Sequence, residues 1–261
     1  MSWRWYLPFA LSLVMAACQP AEPQAGGTRI YPVDGATVVF IPAGEFVMGS
    51  DESDIDADRD ELPQHTVYLD GFWIDRTEVT NDMYGRCVQA GGCTEPAHSR
   101  RYGSPEYGNH PALGISWDQA VAYCTWAGRR LPTEAEWEKA ARGTDKRLYP
   151  WGMETPDPSR LNFDHSVGDT AVVGSYPAGA SPYGVLDMAG NVWEWVSDGY
   201  DENYYAESPA ENPPGGEVVN RRVLRGGSWN TQAHNVRVTN RFWAFPGRND
   251  TDGFRCAMSD E

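Results

Sequence analysis

Beyond Gly143 the chain carries no long stretch with the period of a helix or a strand. Amphipathic repetition is how most chains build a core, so the C-terminal part must be held by other means. The composition says which: Gly 27, Pro 19, Trp 11 and Tyr 13 describe a loop-rich chain anchored by aromatic side chains. A hydrophobic content of 41% still permits a real core. One segment concentrates the problem. Asp187-Met-Ala-Gly-Asn-Val-Trp-Glu-Trp195 sets two carboxylates and a Gly-Asn pair among large aromatics, a mixture that suits neither an ordinary helix nor a strand. Polar groups so placed must reach water or find a partner. A hard cation such as Ca²⁺ is one such partner; a tight turn around a Trp-anchored core is the plainer reading.

Upstream of Gly143 the signals are local. Val38 to Pro42 and Glu45 to Met48 read as short strands with Ala43-Gly44 between them. His65 to Leu69 and Phe72 to Ile74 read as strands around Asp70-Gly71, a hairpin signal. Three helices follow with readable ends: Thr80 to Gly91, Ser116 to Gly128 and Thr133 to Gly143. Ser116 with Gln119, and Thr133 with Glu136, have the spacing of capping boxes. Asp51 to Glu61 is acidic, but Arg59 stands where a Ca²⁺ loop of the EF-hand type needs Gly. A solvated loop is expected there.

The N-terminus reads as a leader over residues 1–17. Arg4 precedes a short apolar run that ends in Met15-Ala-Ala-Cys18. Small residues before a Cys suggest a bacterial lipobox with Cys18 lipidated; an ordinary secretory signal cut nearby is the alternative. Residues 18–29 then form a flexible tether, and residues 30–261 a single domain. The expected location is the bacterial cell envelope, with the membrane reached through the lipid anchor. The remaining cysteines, Cys87, Cys93, Cys124 and Cys256, allow three pairings. Cys87 and Cys93 flank a short Gly-containing loop and pair easily, which leaves Cys124 with Cys256. Closing so long a loop contributes about 4 kcal/mol on the chain-entropy picture. A net charge of -16 argues against nucleic acid.

Several blocks carry a resemblance. His65 to Thr80, Ser116 to Glu138, Pro150-Trp151-Gly152, Tyr183 to Trp195, Arg225-Gly-Gly-Ser-Trp229 and Gly253-Phe-Arg-Cys256 resemble the formylglycine-generating-enzyme (sulfatase-modifying-factor) family, in family order. The resemblance implies an α+β fold: a compact, loop-rich domain related to C-type lectins, with little regular structure. It implies pairing of Cys124 with Cys256. It also implies a structural Ca²⁺ site in which Asp187 and Glu194 give side-chain oxygens and Gly190 and Val192 give carbonyls. A second family site maps onto Asn162 and Phe163, with Asp169 as candidate for its other half.

The departure from the family is chemical. Active members place two cysteines after Gly-Gly-Ser to hold Cu(I), which prefers soft thiolates. Thr231 and Val236 stand at those positions, so copper and formylglycine-generating activity are not expected, and no catalytic residue is assigned. Among His65, His98, His110, His165 and His234 there is no metal-ligand spacing; only His234 falls in the degenerate segment. Trp193, Ser228, Trp229, Asn230, Thr231 and His234 are expected to line the former substrate groove, although both Trp suit a core equally well. Two readings result. One is a non-catalytic binding or scaffold module for an envelope protein, peptide or glycan. The other is an oxidoreductase of the same superfamily, acting on a peptide or small molecule without copper cysteines.

Overall fold

The computed structural model describes residues 1, 23–96, 101–217, 220–247 and 250–260. Cys18, residues 2–17 of the expected leader and His98 lie outside them. Along the described chain run β1 (Thr28–Ile30), β2 (Thr37–Ile41), β3 (Gly44–Met48), β4 (His65–Leu69), β5 (Phe72–Asp75), α1 (Asn81–Gln89), α2 (Trp117–Trp126), α3 (Glu134–Arg142), β6 (Trp193–Gly199), α4 (Tyr204–Glu207), β7 (Arg222–Arg225), β8 (Phe242–Ala244), β9 (Asp252–Phe254) and β10 (Ala257–Ser259). The α+β, loop-rich expectation holds.

The strands form three sheets, ordered β1-β2-β5-β10, β3-β4 and β8-β7-β6-β9. The hairpin expected at Asp70-Gly71 is absent. β4 pairs with β3, and β5 pairs with β2 and β10. Burial explains the difference. β3 and β4 alternate, with Phe46, Met48, Val67 and Leu69 turned inward, whereas all of β5 is buried. A strand covered on both faces belongs in the middle of a sheet, so the chain changes sheets at Asp70. Asn212 secures that corner, accepting from the Asp70 N–H and donating to its carboxylate, both at 2.9 Å. The segment read as a tether is shorter than expected, because Thr28–Ile30 pairs with β2.

The helices begin where their caps predict. Thr80 accepts from the Met83 N–H, and Ser116–Gln119 and Thr133–Glu136 form complete capping boxes. α3 packs Trp137, Ala140 and Ala141 into a core shared with β2 to β5. α1 and α2 cover one face of the third sheet, where Tyr84, Tyr123 and Ile115 meet Trp193, Trp195 and Phe254. Disulfides Cys87–Cys93 and Cys124–Cys256 are both formed; the second ties α2 to the chain between β9 and β10.

Candidate functional site

The Asp187–Trp195 stretch is half loop, half strand. Trp193-Glu194-Trp195 opens β6, contrary to the expectation that no strand would accept it. Its buried pattern reconciles the two: Trp193 and Trp195 face the helix layer while Glu194 points to the other side, where buried partners receive it. The loop half is bent by three residues with positive φ, Asp187 at 58°, Gly190 at 76° and Asn191 at 62°. Asp and Asn tolerate this region better than most residues. At Gly190 a side chain would also collide with the Asn162 carbonyl, 2.3 Å from where its Cβ would sit.

The bend gathers three acidic side chains. Glu194 accepts from Trp137 Nε1 at 2.9 Å and from Arg255 Nε and Nη2 at 2.6 and 2.7 Å. Asp187 Oδ2 accepts from the Gly174 N–H at 2.6 Å. Glu78, between β5 and α1, accepts from Asn191 Nδ2 at 2.9 Å through Oε1, while its Oε2 has no partner among the described residues. Burial, and then the charges of Asp187 and Glu194, push the Glu78 carboxyl well above the usual range. Burial likewise raises Asp187.

Arg255 is hydrogen-bonded to Glu194 and acts on Glu78 and Asp187 through its charge. Excess buried negative charge with an orphan carboxylate oxygen calls for a cation or a proton. The residues fit a hard, oxygen-preferring ion. Among the described residues no three His, Cys, Asp or Glu side chains converge as a ready metal cage. A cation here would rely on backbone oxygens as well, the part expected of Gly190 and Val192.

The second expected half-site has other commitments. Asn162 donates to the Asp169 carbonyl at 2.8 Å and to Asn191 Oδ1 at 3.3 Å. The Phe163 carbonyl closes a turn with the Ser166 N–H. The Asp169 carboxylate pairs with Arg101 at 2.5 Å and accepts from Tyr107 Oη at 3.1 Å. These partners already neutralise it, so the segment lacks the unpaired charge seen at Glu78.

The two positions expected to carry copper thiolates do converge. A Cβ built on Gly227 would lie 2.7 Å from a Val236 methyl and 3.0 Å from Thr231 Oγ1, so both side chains pack against Gly227. Their chemistry is inert. Thr231 Oγ1 accepts from the Ser228 N–H and donates to the Ser228 carbonyl, both at 2.9 Å. Val236 is fully buried against Tyr149, Leu161 and Ala189.

The expected groove residues divide. Ser228 is buried, with its hydroxyl on Asn230 Oδ1 at 2.7 Å; Trp229 and Asn230 are half-buried, and His165 meets the Trp229 ring edge-on. Trp193 is buried, and Phe242 of β8 stacks on it at 5.0 Å. His234 is exposed and contacts Asp58 at 3.0 Å. The acidic loop is solvated as far as Arg59, and its buried end is stapled to this segment by Arg237, which grips Glu61 at 2.6 and 2.9 Å. Glu78, Arg255 and Asp58 were not singled out from sequence. Glu78 and Arg255 lie inside recognisable blocks, but only the fold brings them to Asp187; Asp58 stood in the sequence only as one of the alternating acids Asp54, Asp56 and Asp58 of the acidic loop.

A profile of the sulfatase-modifying factor enzyme 1-like domain matches residues 29–260. The chain is 35% identical to the formylglycine-generating enzyme of Streptomyces coelicolor over 307 residues, covering 94% of this chain and 96% of that one. It is 41% identical to the serine/threonine-protein kinase pkn1 of Chlamydia caviae over 240 residues, covering 84% of this chain but only 37% of the kinase's length. Among solved structures, PvdO from Pseudomonas aeruginosa superimposes with a TM-score of 0.79 at 29% identity, covering 91% of this chain and 99% of PvdO.

Proposed function

Because this chain belongs to the sulfatase-modifying-factor family, we propose that it keeps the family's scaffold without its copper chemistry and serves as a binding module. The observation that carries this reading is the pair at Gly227. Thr231 and Val236 both pack against it, and neither offers the thiolate that Cu(I) prefers. The four cysteines of the domain are consumed in two disulfides. The module is held at the bacterial envelope through a lipid on Cys18 and engages a protein, peptide or glycan there. A Ca²⁺ ion would steady the loop beside it, held by Asp187, Glu194 and the Gly190 and Val192 carbonyls. That ion would supply structural charge balance and no chemistry.

The test incubates the protein with Cu(I), O₂ and a Cys-containing peptide and weighs the peptide. An unchanged mass is expected; conversion of the thiol to an aldehyde would remove the reading. The double variant Thr231→Cys/Val236→Cys is expected to gain Cu(I) binding, since both side chains pack against Gly227. A second reading, an oxidoreductase working without copper cysteines, draws on the near full-length likeness to a formylglycine-generating enzyme.

A further inference from the structure

At the end of the third sheet one acidic side chain stands apart from every ionic cluster. Asp252 of β9 is fully buried, and its Oδ2 has no partner among the described residues. Among the described residues the other oxygen meets only the Thr251 hydroxyl, at 3.2 Å. Burial raises its carboxyl to about 7, opposed by that hydroxyl alone. Arg255 lies in the same segment but is committed to Glu194.

The neighbours of Asp252 are aromatic. β9 runs parallel to β6 with Asp252 opposite Trp193, and residues directly opposite share a sheet face. On that face Phe242 stacks on Trp193, centroids 5.0 Å apart and planes 24° apart. Trp193 is 4% exposed, whereas Phe242 is 44% exposed and lies on the edge strand β8. An exposed ring on an edge strand changes rotamer on the ps–ns scale, so the ring can turn aside from the face it covers.

We propose that Asp252, Trp193 and Phe242 form a recognition site for an organic cation, an ammonium or guanidinium group carried on an apolar body. The body lies along the Phe242–Trp193 stack, and the cationic tip reaches the unpaired Asp252 carboxylate. Both parts suit such a ligand. Ring faces attract cations, and a buried carboxylate lacking a positive partner gains most from one that brings its own donors. A metal ion is the poorer match, since a single carboxylate beside hydrocarbon falls far short of the six or more oxygens Ca²⁺ takes. This inference rests on the binding-module reading, because it supplies a chemical class of ligand for that module.

The test titrates the protein at pH 8 with benzylammonium and, separately, with benzyl alcohol, following Trp fluorescence and calorimetry. Wild type is expected to bind the amine at least ~10-fold more tightly than the alcohol, as a site built around a buried charge rejects the uncharged analogue. Asp252→Asn should bring the amine down to the level of the alcohol. Phe242→Ala, at an exposed position, should weaken the amine by ~5-fold or more through loss of a ring face. Should Asp252→Asn fail to give a folded circular dichroism spectrum, Phe242→Ala decides alone. Equal affinities for the two probes, no binding of either, or an amine affinity unchanged in the folded variants overturns the proposal. Equal affinities leave the binding module standing without its cation. Oxidation of a thiol peptide removes the binding module and leaves the cation site untouched.

Discussion

Two buried ionic clusters lie on either side of Trp137, and they are balanced differently. On one side Glu134 and Glu138 of α3 face Arg225, Arg241 and Arg142. Arg225 reaches Glu134 at 2.9 Å and Glu138 at 2.7 Å, Arg241 reaches Glu134 at 2.7 Å, and Arg142 reaches Glu138 at 3.1 Å. Burial alone would raise the Glu134 carboxyl, but Arg241 and Arg225 outweigh it and hold it below the usual value. On the other side Arg255 is hydrogen-bonded to Glu194 and acts on Glu78 and Asp187 through its charge, and Glu78 rises. The first cluster gives each of its carboxylates a guanidinium partner. The second is short of positive charge, an imbalance that a proton or a cation would relieve.

The largest expected effect breaks the balanced cluster. Arg225→Met should cost about 3–5 kcal/mol of unfolding free energy, measured in urea, because it strips a shared partner from two fully buried carboxylates. A cost under about 1 kcal/mol would mean that Arg241 and Arg142 suffice, and the two clusters would differ less than their geometry implies. The next effect works on the deficient cluster. Ca²⁺ added after chelation should raise the melting temperature, worth about 2.7 kcal/mol when the ion is at 100 times its dissociation constant. Glu78→Gln should shrink that increment, and Asp187→Ala should abolish it. An increment retained in full by both variants would place any Ca²⁺ elsewhere.

How much of this was legible in the sequence depends on whether the signal is local. The three helices were readable because an N-cap, and at α2 and α3 a capping box, is complete within four residues, and the disulfides because four cysteines leave few pairings. The Asp70-Gly71 corner was misread because its turn chemistry suits a hairpin, while the choice of sheet is made by burial of β5 on both faces. The same limit applies to the site. Asp187 and Glu194 stood in one conspicuous run, but the charge deficit needs Glu78 from the β5–α1 connection and Arg255 from the C-terminal strands. Asp252 looked like any acidic residue near a turn until the parallel register with Trp193 buried it.

The balanced cluster has one edge that its arginines do not hold, and pH should expose it. Asp198 on β6 accepts from the Glu134 N–H at 2.8 Å and from its neighbour Ser197 at 2.9 Å. Burial, and then the negative Glu134, raise its carboxyl from 3.8 to about 8. A carboxyl raised on folding stabilises the protonated native state. Its contribution is complete below the unfolded value and is lost as pH climbs through the folded one. Stability should therefore decline between pH 4 and pH 8 in part through Asp198, and Asp198→Asn should flatten that stretch of the profile. Ca²⁺ should leave the Asp198 part unchanged, since the ion belongs to the other cluster.

The smallest effect is expected where the same residue types meet in water. His234 and Asp58 lie 3.0 Å apart with side chains 42% and 52% exposed. Exposed pairs contribute about 0–1 kcal/mol and weaken with salt. His234→Ala should lower the unfolding free energy by no more than about 0.5 kcal/mol, because the acidic loop stays held by the buried Arg237–Glu61 fork and by Asn240 on Asp58 at 3.2 Å. A loss as large as that of Arg225→Met would show that exposure is a poor guide here and that His234 secures the loop against the segment where copper thiolates would stand. A small, salt-sensitive loss fits a loop fixed by its buried end, with Asp58 and His234 as its solvated rim.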